Sequence, residues 1–198
     1  MKEIPKDETI KSIIESGGLI IYPTETAYGL GAGINHEYAI EKIYDTKKRD
    51  KAKKLIAIVP SIEVAKRYCF MNKDEIKLCN KFMPGPLSII CRKKEFFPTE
   101  FNKEFVFRIS SNPIAHRLAT IINAPLIATS ANMSGKGNAY SIKDIGSEII
   151  DRVDLVIDNG TLKKNPSSTI VRIYNGDIEI VRPGKITKEE IISALKED

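Results

Sequence analysis

The 198-residue chain contains no tryptophan, only two histidines and only three cysteines. With His36 and His116 alone, a histidine-based metal centre or Ser-His-Asp triad has little material to work with. Cys69, Cys79 and Cys91 are odd in number, and their spacing fits no zinc or redox motif. They read as scattered buried or idle thiols in a reducing compartment. No apolar run is long enough to span a bilayer, and the N-terminus lacks the apolar core of a signal peptide. A cytoplasmic protein without membrane contact is the expectation. Neither GxxxxGK[ST] nor GxGxxG occurs, so any nucleotide site must be of another kind. Internal repeats, low-complexity linkers and domain boundaries are also missing, which predicts a single domain over 1–198.

What is present is an ordinary globular composition, 42% hydrophobic and 29% charged, with a net charge of +5. That sign suits an anionic ligand, a nucleotide or a nucleic acid. The stretch 18–33, GLIIYPTETAYGLGAG, organises the rest. A short apolar run reads as a buried strand that Pro23 ends. Thr24, Glu25 and Thr26 follow, then a run rich in glycine that allows close approach of backbone to a ligand.

Helical spacing covers 8–16, and Asn35 reads as the cap of a helix ending in KKRDKAKK, residues 47–54. Strands are expected at 55–59, 87–91, 105–109, 126–128 and 155–157, with a loop over 93–103. Caps at Ser61, Asn72 with Glu75, Asn112 with Pro113, Ser141, and Thr187 with Glu190 mark further helices, the one after Ser141 running to about Ile150. Asn175-Gly176 between TIVRIY and DIEIVR is a strong hairpin signal. Alternating strands and helices predict a three-layer α/β domain with a mixed, twisted sheet. Polar clusters lie just after strands, at 24–26, 108–112, 129–135 and 182–184, where loops of an α/β sheet converge on ligands.

Six of the eight residues in 47–54 are Lys or Arg, a density that calls for phosphate or for a solvated helix end. TSANMSG, 129–135, can present backbone N–H groups and hydroxyls to an anion. Arg108 sits in the apolar strand FVFRI, where it needs an acidic partner, either a core side chain or a ligand.

Taken in order, PTETAYGLG, K-K-R at 47–49, PGPLS at 84–88, Arg108, SANMSG at 130–135, STIV at 168–171 and VRPG at 181–184 resemble the YrdC/TsaC family, the L-threonylcarbamoyladenylate synthases. The resemblance runs from about residue 10 to 185 and corresponds to the family's short, single-domain form. It implies a twisted sheet around a basic concave cleft. It also implies an ATP-dependent reaction of L-threonine with bicarbonate or CO2, giving threonylcarbamoyl-AMP and pyrophosphate for the N6-threonylcarbamoyl modification of adenosine 37 in tRNA. Mg2+ would accompany ATP, and tRNA threonylcarbamoyltransferase proteins would act downstream.

Position by position, the resemblance assigns Lys47 and Arg49 to the phosphates and the catalytic work. It assigns Thr26, Arg108, Ala128 and Ser168 to L-threonine, and Arg49, Lys53, Glu104, Ser130, Asn132, Asn138 and Arg182 to ATP. It assigns no metal ligand. Asp50, Lys53 and Lys54 depart from the family's Pro, Asn and Pro (the last before Leu55), Ile58 from a frequent His, and Ser110 from the Pro of R-x-P. Two other readings stand beside the synthase. One is a tRNA- or double-stranded-RNA-binding module using the same cleft, for which the basic run lacks an interleaved aromatic. The other is a carbamoyl-phosphate-using domain like those of hydrogenase maturation.

Overall fold

The computed structural model describes residues 4–95, 104–174 and 176–197. In chain order the elements are α1 (Asp7–Glu15), β1 (Ile20–Pro23), β2 (Tyr28–Gly31), α2 (Glu37–Lys47), β3 (Ile56–Ile58), α3 (Ile62–Tyr68), β4 (Cys69–Phe70) and α4 (Lys73–Phe82). They continue with β5 (Leu87–Lys93), β6 (Glu104–Arg108), α5 (Pro113–Ile122), β7 (Leu126–Ser130), α6 (Ser147–Ile150), β8 (Leu155–Val156), β9 (Thr169–Tyr174), β10 (Asp177–Arg182) and α7 (Lys188–Lys196). The strands form one mixed sheet in the order β10-β9-β5-β6-β3-β7-β2-β1-β8, with β4 on β5.

Local chemistry explains most boundaries. Ser61, Asn72, Asn112 and Thr187 each accept a backbone N–H at a helix start, and the Asn72–Glu75 and Thr187–Glu190 capping boxes are complete. The hairpin β9–β10 forms as expected. Asn175 of its turn, and the expected loop beyond Glu95, lie outside the described residues.

Four expectations need correction. The glycine-rich run after Thr26 is not all loop: Tyr28–Gly31 is strand β2, paired with both β1 and β7. Gly31 is there because a Cβ would collide with the Ile127 carbonyl oxygen of the neighbouring strand and with the Tyr22 ring. The segment after Ser141 is a 3-10 turn, Ile142–Asp144, and then the short α6, since Gly146 interrupts it. The cap of α2 is His36 rather than Asn35. The cysteines are not scattered: Cys91 hydrogen-bonds to Cys69, and Cys79 lies within electrostatic reach of both, in the core together with Glu75. β4 brings Cys69 beside β5, a pairing of distant segments that no local pattern announces.

Strand alternation sends side chains to two faces. On one face Leu19, Ile21, Ala57, Phe105, Phe107, Ile89 and Val171 pack with α2, α4, α6 and α7. On the other, Ile20, Tyr22, Ile58, Leu126 and Ala128 pack beneath α1 and α5. That second helical layer stops partway. Val106 and Ile90 are buried but belong to neither helix-covered cluster. The uncovered half of this face is a concavity. No helix of the described residues is long and apolar enough to cross a membrane.

Candidate functional site

A cleft of about 450 Å³ occupies this uncovered half. Ala128, Ile56, Val106, Ile90 and Ile170, from the adjacent strands β7, β3, β6, β5 and β9, form an apolar belt across it. Its walls come from chain segments far apart in sequence. They are the β1–β2 turn with Thr24 and Thr26, the α2–β3 connection with Arg49 and Lys54, Ser130 at the end of β7, Ser167 and Ser168, and Arg182 at the end of β10. Among the described residues no carboxylate lines it.

Arg108 shares the Val106 face of β6 and reaches the cleft. It is 4% exposed. Its Nε donates to Glu25 Oε1 at 2.8 Å, and Ser110 Oγ donates to Glu25 Oε2. The sequence left open whether Arg108 meets an acid of the protein or of a ligand. It meets Glu25, 83 residues away. Glu25 and Ser110 are functional candidates that reading by motif passed over. A lone acid among hydroxyls and a lone Arg in an apolar strand were the available signal.

Arg182 donates through Nε and Nη2 to the Ser168 carbonyl and through Nη2 to Ser168 Oγ at 2.8 Å, while Ser168 Oγ lies 3.0 Å from Ser88 Oγ. Burial, and then the charges of Arg108 and Arg49, pull the Arg182 pKa below its ordinary value. Arg49 donates to the Lys53 and Lys54 carbonyls, and burial lowers its pKa too. Three guanidinium groups therefore share one field at one concavity.

Of the residues singled out by sequence, Thr26, Arg49, Arg108, Ala128, Ser130, Asn138, Ser168 and Arg182 line this cleft. Lys47, Lys53, Glu104 and Asn132 do not. Lys47 is 1% exposed, and its ammonium donates to the Ser130 and Asn132 carbonyls, with Asn132 Oδ1 at 3.5 Å. Its own carbonyl accepts from Ser134 N at 3.0 Å. It ties the end of α2 to the 130–134 loop from behind. Burial first and Arg49 second lower its pKa to about 8. Lys53 is exposed and contributes its carbonyl to Arg49. Glu104 is held by Lys54 and Arg172 at the edge of the cleft. Asn132 donates to the Lys136 carbonyl. No group of three His, Cys, Asp or Glu side chains among the described residues is placed to hold a metal ion.

Comparison with known proteins places the chain in a family. A family model, Sua5_yciO_yrdC, described as "Telomere recombination", matches residues 12–184. A Methanocaldococcus jannaschii protein named "Putative threonylcarbamoyl-AMP synthase" is 35% identical over 185 residues, 93% of this chain and 88% of that one. The threonylcarbamoyl-AMP synthase of Pyrococcus abyssi is 30% identical over 188 residues, and this chain spans 55% of its length. The crystal structure of P. abyssi Sua5 complexed with L-threonine matches with a TM-score of 0.88 and 29% identity, over 98% of this chain and 59% of that one.

Proposed function

The chain belongs to the Sua5/YciO/YrdC family, and on that premise we propose that it makes threonylcarbamoyl-AMP from L-threonine, bicarbonate or CO2, and ATP, releasing pyrophosphate. The observation that carries this reading is the convergence of Arg49, Arg108 and Arg182 on a cleft lined by no carboxylate among the described residues. Such a site gathers anions, and the reaction needs a carboxylate and a triphosphate brought together. The threonine complex of a relative supports L-threonine as the carboxylate, and the relatives' name, threonylcarbamoyl-AMP synthase, supports an adenylate product.

The chemistry asks for no protein nucleophile. The threonine amine takes up CO2, forming an N–C bond and losing a proton, to give a carbamate. A carbamate oxygen attacks the α-phosphorus, and the α–β P–O bond breaks with departure of pyrophosphate. Positioning and charge stabilisation dominate such a step. In this reading Arg108 and Thr26 hold the amino acid, with Ala128 and Ser168 beside it. Arg49, Arg182 and Lys54 face the phosphates, and Ser130 and Asn138 sit at the nucleotide. Lys47 and Asn132 shape the loop that carries Ser130, and Lys53 and Glu104 act from the rim. In this reading Mg2+ enters as the companion of ATP. The product would serve the t6A modification of tRNA through partner proteins, with direct tRNA contact at the same basic cleft as the alternative use.

Incubating the protein with ATP, L-threonine, bicarbonate and Mg2+ tests the proposal. Threonine-dependent pyrophosphate and a threonylcarbamoyl-adenylate mass are expected. Pyrophosphate release that ignores threonine, together with salt-sensitive tRNA binding that ATP does not displace, would favour the RNA-binding alternative.

A further inference from the structure

Glu25 contradicts the logic of an anion site. It places a negative charge directly behind one of the three guanidinium groups that should attract the substrates. The carboxylate is nearly buried, with 13% of its side chain exposed against 5% for Arg108. It is also held from several sides. Arg108 Nε and Ser110 Oγ each donate to one of its oxygens, and Asn165 Nδ2 donates to its main-chain carbonyl at 2.8 Å. Ser110 Oγ in turn accepts the Asn112 N–H at 3.2 Å, and Asn112 caps α5. The clamp is therefore fixed to the end of β6 and to the start of a helix.

Two consequences follow from guanidinium chemistry. The first is geometric. With Nε taken by a carboxylate, the planar fork cannot rotate, and its terminal nitrogens keep one direction. Those nitrogens have no protein partner among the described residues and are not sealed from the cleft. The second is electrostatic. Arg49 and Arg182 bond only to neutral oxygens, the Lys53, Lys54 and Ser168 carbonyls and the Ser168 hydroxyl. Arg182 has only like charges as electrostatic neighbours, and Arg49 feels Asp50 only through space, whereas the charge of Arg108 is balanced by Glu25 in direct contact. A triphosphate gains most from uncompensated charge. A single carboxylate gains most from a fixed pair of donors.

We propose that Glu25, held by Ser110, is a positioning and specificity residue that makes Arg108 a receptor for one carboxylate and keeps phosphate groups off it. Two anions of different charge then enter one basic cleft without exchanging places. This rests on the function proposed above, in which the amino acid takes the Arg108 side. It extends that reading to two residues that touch no substrate.

The test compares wild type, Glu25→Gln and Ser110→Ala by steady-state kinetics in both substrates, with inorganic phosphate as inhibitor. Glu25→Gln keeps an acceptor for Arg108 and removes the charge. Its KM for threonine should rise at least tenfold while its KM for ATP stays within threefold. Phosphate, which should not compete with threonine in wild type, should become competitive with it. Ser110→Ala should move the threonine KM in the same direction by three- to fivefold, with an unchanged kcat. A threonine KM within twofold of wild type in both variants, or ATP and threonine KM values rising in parallel, overturns the proposal. Should Glu25→Gln fail to fold, Ser110→Ala decides alone by the same criteria. A wild-type protein that does not use threonine refutes the proposed function instead, so the two failures are separable.

Discussion

The two walls of the cleft hold their cations in opposite ways. On the strand wall, Arg108 is buried, mounted on β6 and locked to Glu25. On the loop wall, Arg49 is half-buried, follows the C-terminus of α2 and bonds only to carbonyls of its own connection. One wall is part of the fold, and the other is attached to it. Removing each cation should therefore separate stability from ligand binding. Arg108→Ala strands the Glu25 carboxylate in the interior, and leaving one partner of a buried pair costs about 3–5 kcal/mol. Urea denaturation should read that loss, together with at least a hundredfold rise in the threonine requirement. Arg108→Met combined with Glu25→Leu removes both charges and should recover most of the stability but none of the threonine use. If the double variant is as unstable as the single one, the strand wall is not held by this pair.

Lys47 belongs by sequence to the loop wall and by structure to the strand wall. Its ammonium is spent on the Ser130 and Asn132 carbonyls, so Lys47→Met leaves buried acceptors unmet and should cost about 2–3 kcal/mol. The same burial gives a pH signature. The folded-state pKa falls from 10.5 to about 8. Between those values the unfolded chain keeps a proton that the folded chain has released, so stability rises with pH. Relative to Lys47→Met, wild type should gain up to about 1.4 kcal/mol per pH unit across that window, measured by chemical denaturation. A difference that is flat from pH 8 to 10.5 would place Lys47 in solvent, on the loop wall after all.

Sequence reading succeeded where a feature is written within a few residues. The Asn72–Glu75 and Thr187–Glu190 boxes, the hairpin between TIVRIY and DIEIVR, and the Pro-started α5 all formed where expected. It failed where meaning depends on distant pairing. Gly29 and Gly31 look like loop glycines until β7 is placed against them. Glu25 looks like a ligand-facing acid until β6 delivers Arg108, and three idle cysteines become neighbours only once β4 meets β5. The cleft itself was legible as a set of residue types at strand ends. Its cause was not, because nothing local reveals that α1 and α5 cover only half of a sheet face.

At the rim the two walls meet through charge. Lys54 pairs with Glu104, and Glu104 with Arg172, which also pairs with Glu179. These side chains are partly exposed, so water and salt screen them. Glu104→Gln should cost no more than about 1 kcal/mol, and the difference should fade with added salt. Because Lys54 lines the cleft, the freed ammonium should also lower the KM for ATP by two- to threefold at low salt. An unchanged ATP KM would mean that Lys54 serves the rim and not the nucleotide.

The smallest effect on the fold is expected at Arg49, and it sharpens the contrast most. No buried carboxylate depends on this guanidinium, and the carbonyls it bonds can turn to solvent along a connection exposed from Asp50 to Lys53. Arg49→Ala should thus leave unfolding free energy within about 0.5 kcal/mol of wild type. Its consequence should fall on the phosphates. A cation with no carboxylate bonded to it, facing a polyanion, contributes through long-range attraction as well as contact, and that share declines as ionic strength shortens the Debye length to about 8 Å at 0.15 M. The variant should show a raised ATP KM at low salt, a gap that narrows as salt is added, and a threonine KM that does not move. A raised threonine KM with unchanged ATP affinity would reverse the assignment of the two walls. Equal effects on both substrates would mean that the cleft does not sort its anions at all.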